Sequence, residues 1–179
     1  PCDINQEGSI AVRAPDPVMF LNYWNNPEAT AAKFIKIAGE DWLLTGDKGR
    51  KTPTGRIQFI GRDDDIISSG GYRIGPAEIE DCLLTHPAVQ LAGVVGKPDP
   101  IRGAIVAAYI QLAKGFEASD NLADSIADHV KSKLAAYEFP RVVRFIDDMP
   151  MTTTGKIIRA NLRARAEKEA ENEQCSRSL

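Results

Sequence analysis

The stretch that decides the fold runs from Gly61 to Glu80: Gly-Arg-Asp-Asp-Asp-Ile-Ile-Ser-Ser-Gly-Gly-Tyr-Arg-Ile-Gly-Pro-Ala-Glu-Ile-Glu. An arginine and three carboxylates follow a short apolar strand, Ser68-Ser69-Gly70-Gly71 makes a turn, and Gly75-Pro76 opens a helix. Adjacent glycines let the backbone enter φ > 0 or approach another group closely. Pro76 suits the first turn of a helix, and Glu78 and Glu80 sit near its positive end. The layout reads as strand, hinge, Gly-rich turn and helix. Such a loop can hold an anion, and the same turn is what any tight β-hairpin needs.

Downstream, the pattern is mixed α and β. A first helix is expected from Pro76 to Thr85 with Ile79 and Leu83 inward, ended by His86-Pro87. Leu91–Val95 and Ala104–Leu112 are apolar runs split by a turn-rich loop, Lys97 to Gly103, and read as a hairpin. Leu122, Ile126, Val130 and Leu134 step by four along a second helix, capped by Ser119 or Asp120 and ending near Glu138-Phe139-Pro140. Val142–Ile146 is a further strand. Ile157–Ala170 reads as a terminal helix with an Arg163–Glu167 pair, and residues 171–179 as a polar, frayed end.

Upstream, residues 1–63 are β-rich: Ile10 and Val12 alternate with polar or small neighbours, as do Ile57 and Phe59 after the turn Thr52-Pro-Thr-Gly55. Asn26-Pro27 starts a short helix. A stretch this short buries only roughly 60% of the surface its unfolded chain exposes, too little for a complete domain.

The whole chain has 179 residues, 43% of them hydrophobic, and a net charge of −3. That balance argues against a general nucleic-acid binder. Cys2, Cys82 and Cys175 are odd in number and far apart, with no histidine at ligand spacing, so neither a disulfide framework nor a zinc site is indicated. With no membrane-spanning apolar run and no signal peptide, a reducing, cytoplasmic setting is expected.

Three motifs stand in order along the chain: Trp42-Leu-Leu-Thr-Gly-Asp47, the stretch from Arg62 to Glu80, and Pro150-Met-Thr-Thr-Thr-Gly-Lys156. Together they resemble the adenylate-forming superfamily of acyl-CoA synthetases, luciferase-type enzymes and peptide-synthetase adenylation domains. The wording Asp-Ile-Ile-Ser-Ser-Gly-Gly-Tyr-Arg-Ile-Gly-Pro is similar to that of short- and medium-chain acyl-CoA synthetases. The resemblance implies an α+β fold: a small C-terminal domain with a three-stranded sheet flanked by helices plus a β-hairpin, preceded by a β-rich remnant of the large N-terminal domain. It divides the chain into residues 1–63 of that large domain, a mobile lid over 64–172 and a tail over 173–179.

The resemblance also implies roles. Lys156 would bridge the carboxylate of a small acid and the α-phosphate of ATP. On its own it reads as a solvated lysine on a loop, and a P-loop is ruled out because Pro150 replaces the first glycine and Ile157 the magnesium-binding hydroxyl. Asp47 and Arg62 would hold the nucleotide's ribose, a carboxylate offering acceptors to a diol; otherwise Asp47 belongs to a turn. Arg73 would meet the adenylate phosphate, or else pair with Asp63, Asp65 or Glu78. Asp64 would be the hinge. Ser68 to Gly71, with Ser69, Gly70 and Gly71 foremost, would line the path of the CoA thiol. Lys131 would meet the CoA 3′-phosphate or be part of a solvated helix face. Glu138 departs from the basic residue that relatives place there. His86 and His129 read as structural.

The expected reaction joins a carboxylic acid to CoA at the expense of ATP, with Mg²⁺ accompanying the ATP. The upstream pyrophosphate loop and acyl pocket are not in this sequence, so the chain alone is expected to be inactive and to depend on the missing N-terminal domain. Two alternatives remain at this stage: a non-catalytic α+β binding module, and an adenylation domain serving a carrier protein.

Overall fold

The computed structural model describes residues 2–177, with the side chains of residues 176 and 177 left aside. The chain divides into two compact units, Pro1–Asp64 and Asp65–Leu179.

The first unit is a four-stranded antiparallel sheet. Its strands are β1 (Glu7–Arg13), β2 (Phe34–Ile37), β3 (Glu40–Lys51) and β4 (Ile57–Arg62), with β3 pairing all three others. The short helix α1 (Pro27–Ala31) starts as its sequence predicts: the Asn26 carboxamide accepts the Ala29 N–H and Pro27 occupies the first turn. Among its described residues no apolar side chain is fully buried, and Trp24, Val18 and Leu21 are about nine-tenths exposed or more. A sheet with a wet apolar face does not supply its own core.

The second unit is a mixed sheet with helices on both faces. Its strands are β5 (Ile67–Ser69), β6 (Tyr72–Ile74), β7 (Val89–Asp99), β8 (Gly103–Leu112) and β9 (Val142–Phe145), in the order β6-β5-β8-β7, with β9 parallel to β8. The three long-range strands and the Gly-rich hairpin thus share one sheet, the hairpin joining through Ser69 and Gly103. Helices α2 (Pro76–Leu84) and α3 (Asp120–Lys133) cover one face around Ile79, Leu83, Val94, Val106, Ile110, Ile126 and Val130. Helix α4 (Arg159–Arg177) covers the other around Val95, Ala107, Tyr109, Met149 and Leu162. Neighbouring residues such as Val94 and Val95 are therefore buried on opposite faces, which is why these strands read as continuous apolar runs. At Gly93 a Cβ would run into Leu162 Cδ1, so a side chain there would force the α4 packing to shift.

Several local expectations are corrected, the first two by bonds within a few residues and the last two by partners far along the chain. Helix α3 ends at Lys133, because Leu134 turns extended and the Ala135 N–H is taken by the Glu138 carboxylate at 2.9 Å. The loop expected from Lys97 shrinks to a tight turn, with Asp99 Oδ1 accepting the Ile101 and Arg102 amides. Arg163 reaches Asp65 at 2.6 Å rather than Glu167, and the i,i+4 pair on α4 is Arg165–Glu169. The polar end, expected to fray, is helical through Arg177, with Glu173 bonded to the buried Lys97 at 2.7 Å and to Arg144 at 3.4 Å. Residues 178 and 179 lie outside the described residues.

The two histidines join α2 to α3. Their rings meet edge to face at 5.1 Å, and Thr85 Oγ1 lies 2.8 Å from His129 Nε2 and 3.0 Å from Lys133 Nζ. Burial, then the nearby His129 and Lys133 charges, hold the His86 pKa below its usual 6.5. A lowered folded pKa means that the unfolded chain takes up this proton first. His86's contribution to stability is therefore intact above 6.5 and is lost as pH falls through that value toward the folded pKa. We expect His86→Asn, which keeps an acceptor for the Ala88 N–H, to flatten the loss of stability between about pH 7.5 and about pH 5.5. Urea unfolding at the two pH values checks this; parallel losses in both proteins would count against it.

Candidate functional site

In the first unit, the β3–β4 ladder sets Asp47 directly opposite Arg62. Arg62 Nη1 lies 3.4 Å from Asp47 Oδ1 and 3.4 Å from the Thr45 carbonyl, while its Nε lies 3.3 Å from Asp64 Oδ1. Thr45 Oγ1 donates to the Ile10 carbonyl and accepts the Asp47 amide, which fixes the strand at the motif. Asp47 is thus a strand residue, not part of an isolated turn. Gly46, at φ +85°, leaves room for the guanidinium: a Cβ there would lie 3.1 Å from Arg62 Nη2. Asp47, Arg62 and Asp64 are three of the expected residues, and the structure gathers them into one half-exposed patch of alternating charge.

In the second unit, the Gly-rich turn is a two-residue hairpin loop. Gly70 and Gly71 have φ +56° and +87°, the conformation a type I′ turn demands, and Ser69 faces Tyr72 across it. The stretch is therefore a tight hairpin with a bare tip. A Cβ on Gly71 would find open space, so the glycine is required here by its backbone angle rather than by crowding. Beside it, the Gly70 amide donates to the Arg102 carbonyl, and the Arg102 guanidinium lies against the same turn. Arg73 stands on β6 opposite Ser68, on the exposed side of the hairpin.

Tyr72 stacks on Tyr137 with ring centroids 4.3 Å apart and planes 8° from parallel. Two residues on in the chain from Tyr137, the Phe139 ring is flanked by Lys131 at 5.5 Å and Arg141 at 5.1 Å. The hairpin thus meets the segment after α3 through Tyr137, and Lys131 meets the same segment through Phe139. Arg102, Tyr137 and Arg141 were not singled out from the sequence. Their only signal in the sequence is compositional, cations interleaved with aromatics, and folding gives each its own partner: Gly70, Tyr72 and Phe139.

Lys156 sits elsewhere in the unit, on the turn between β9 and α4. The Lys156 amide donates to Thr152 Oγ1 at 3.1 Å, its carbonyl accepts the Thr152 amide at 2.8 Å, and the Gly155 amide donates to the Thr152 carbonyl at 2.9 Å. Gly155 has φ +81° and the Ile158 amide closes the loop on the Pro150 carbonyl. The backbone is thus fixed while the lysine side chain is exposed. Among the described residues no group of three His, Cys, Asp or Glu side chains could hold a metal ion, and no helix is long and apolar enough to cross a membrane.

A mixed sheet with such a hairpin and lysine turn has clear counterparts. Residues 78–156 match the family described as AMP-binding enzyme C-terminal domain. The chain belongs to the adenylate-forming superfamily, and the part it matches is the members' C-terminal domain. Its relatives in sequence are acyl-coenzyme A synthetases. The human mitochondrial acyl-coenzyme A synthetase ACSM1 is 47% identical over 164 residues, covering 89% of this chain and 28% of that protein. The Bacillus subtilis acetyl-coenzyme A synthetase is 43% identical over 157 residues, covering 88% of this chain and 27% of that protein. In structure, the anthranilate CoA ligase AuaEII, solved with anthranoyl-AMP, superposes with a TM-score of 0.79 at 36% identity, covering 95% of this chain and 32% of that one. The chain thus spans less than a third of the length of these relatives.

Proposed function

We propose that this chain is the C-terminal portion of an ATP-dependent acyl-CoA synthetase and supplies its mobile lid. In the first step a carboxylate oxygen attacks the α-phosphorus of ATP and pyrophosphate leaves. In the second, the CoA thiolate attacks the acyl carbon and AMP leaves. Lys156 meets the charge that develops on the transferring phosphoryl group, Asp47 and Arg62 hold the ribose, and Arg73 meets the adenylate phosphate. The hairpin tip at Ser69, Gly70 and Gly71 admits the thiol, and Lys131, with its aromatic neighbours, receives the nucleotide end of CoA. Mg²⁺ would accompany the phosphates of ATP and neutralise part of their charge.

The observation that carries this reading is the pairing of a rigid turn bearing an exposed lysine with a separate, bare glycine hairpin in a unit that matches this domain family. Division of the chain directly after Asp64 supports a hinge there. The coreless first unit supports a need for further packing, as a remnant of a larger domain has. CoA rather than a carrier protein as acceptor is supported by relatives that are themselves coenzyme A synthetases. Three free cysteines suit a reducing, cytoplasmic setting.

The test compares the chain alone with a chimera in which it completes the upstream part of the human relative. We expect the chain alone to exchange no labelled pyrophosphate into ATP, and the chimera to do so with its acid substrate. Turnover by the isolated chain that Lys156→Ala abolishes, or a folded but inert chimera, would defeat the proposal.

A further inference from the structure

Arg159, the first residue of α4, stands three positions after Lys156 and holds two carboxylates at once. Its Nε lies 3.2 Å from Glu80 Oε1 and its Nη2 bonds Glu80 Oε2, while its Nη1 lies 3.4 Å from Asp65 Oδ2. Arg163, one turn on, meets Asp65 Oδ1 at 2.6 Å. The Asp65 and Glu80 side chains are only 10% and 11% exposed, and Glu80 Oε1 also accepts the Val94 amide at 2.9 Å. Two guanidinium groups thus balance two nearly buried carboxylates from three different parts of the unit: the residue that opens it, the helix behind the Gly-rich hairpin, and the helix that follows the lysine turn.

We propose that Arg159 is a positioning residue, which ties the Lys156 turn to Asp65 and to α2 so that the lysine keeps one orientation relative to the start of its unit. This rests on the reading that Lys156 meets the nucleotide phosphate. The bonds of the turn itself, from Thr152, Lys156 and Ile158, are all internal to residues 150–158 and do not aim it. Arg159 supplies the aim, because a planar guanidinium spans two carboxylates in fixed geometry. An ammonium would keep the charge but could serve only one of them well. Any turning of the backbone at Asp64 then carries Lys156 with it rather than leaving it to follow.

Hydrogen exchange on the 179-residue chain tests this, with Arg159→Gln and Arg159→Lys beside the wild type. In both variants the amides of Thr152, Lys156 and Ile158 should exchange about tenfold faster or more, reporting local opening, while those of Ile126 and Val130 in α3 hold their protection in Arg159→Lys. Charge balance alone would restore every amide in Arg159→Lys, and that result overturns the proposal. Equal acceleration at all sites in both variants also overturns it, since the role would then be one of global stability. In the chimera, Arg159→Lys should slow adenylation about tenfold and spare thioester formation from supplied acyl-adenylate, a split expected of a group that acts through Lys156. Unchanged adenylation beside a crippled Lys156→Ala overturns the positioning role. An inert Lys156→Ala substitution would instead remove the reading of Lys156, and the exchange data would decide the clamp.

Discussion

In the chimera, Lys156→Ala should lower the rate of adenylate formation by about 10² to 10³, while conversion of supplied acyl-adenylate and CoA to thioester stays nearly unchanged. On the proposed reading the loss is large because the exposed ammonium, carried on a turn of fixed backbone, meets charge that develops only in the transition state. Gly71→Leu should do the reverse. A side chain there enters open space at the hairpin tip, so it obstructs an incoming thiol without displacing a neighbour. It also carries backbone strain, because Gly71 has φ +87°. Gly71→Ala shares that strain without the bulk and serves as the control. Rapid-quench timing of the two half-reactions separates the cases. Equal slowing of both steps by Lys156→Ala, or slowing of adenylation alone by Gly71→Leu, would show that the lysine turn and the glycine hairpin do not serve different steps.

Glu80→Ala should destabilise the second unit by about 3 kcal/mol or more. Its carboxylate is nearly buried between Arg159 and the Val94 amide, so truncation takes two bonds from the guanidinium and strands a strand N–H. An orphaned buried amide alone costs about 1–3 kcal/mol. Glu80→Gln should lose markedly less, because its carbonyl oxygen can still accept the Val94 amide. The measurement is urea unfolding followed by a probe of the second unit, with the slope checked for constancy. A loss below about 1 kcal/mol for Glu80→Ala would place this contact among ordinary surface ion pairs.

The local features follow from the sequence with little help. Asn26-Pro27 starts α1, Ser119 caps α3, Pro76 opens α2, and paired glycines turn the hairpin. Each of these depends on residues within a few positions of one another. The same holds for the lysine turn. Thr52-Pro-Thr-Gly-Arg56 in the first unit and Thr152-Thr-Thr-Gly-Lys156 in the second form the same turn, with matching Thr amide, Gly amide and Thr hydroxyl bonds. Five residues of that kind suffice to shape it and to present a basic side chain.

What those five residues cannot do is say what the rest of the chain brings up to either turn. The Lys156 turn runs into a helix whose first residue grips Asp65 and Glu80 from 94 and 79 positions away. Lys97 is 2% exposed because Glu173, 76 positions on, is brought to it, and that ion pair also orders an end of the chain which looks too polar to hold a helix. Tyr72 and Tyr137 stack only after β6 and the segment beyond α3 have been packed on one side of the sheet. Backbone angles, caps and turns are set by energies between near neighbours, and so can be read residue by residue. The partner of a charged or aromatic side chain is chosen by the sheet and helices that carry it, and it comes into being only when burial removes the water that would otherwise serve every group alike.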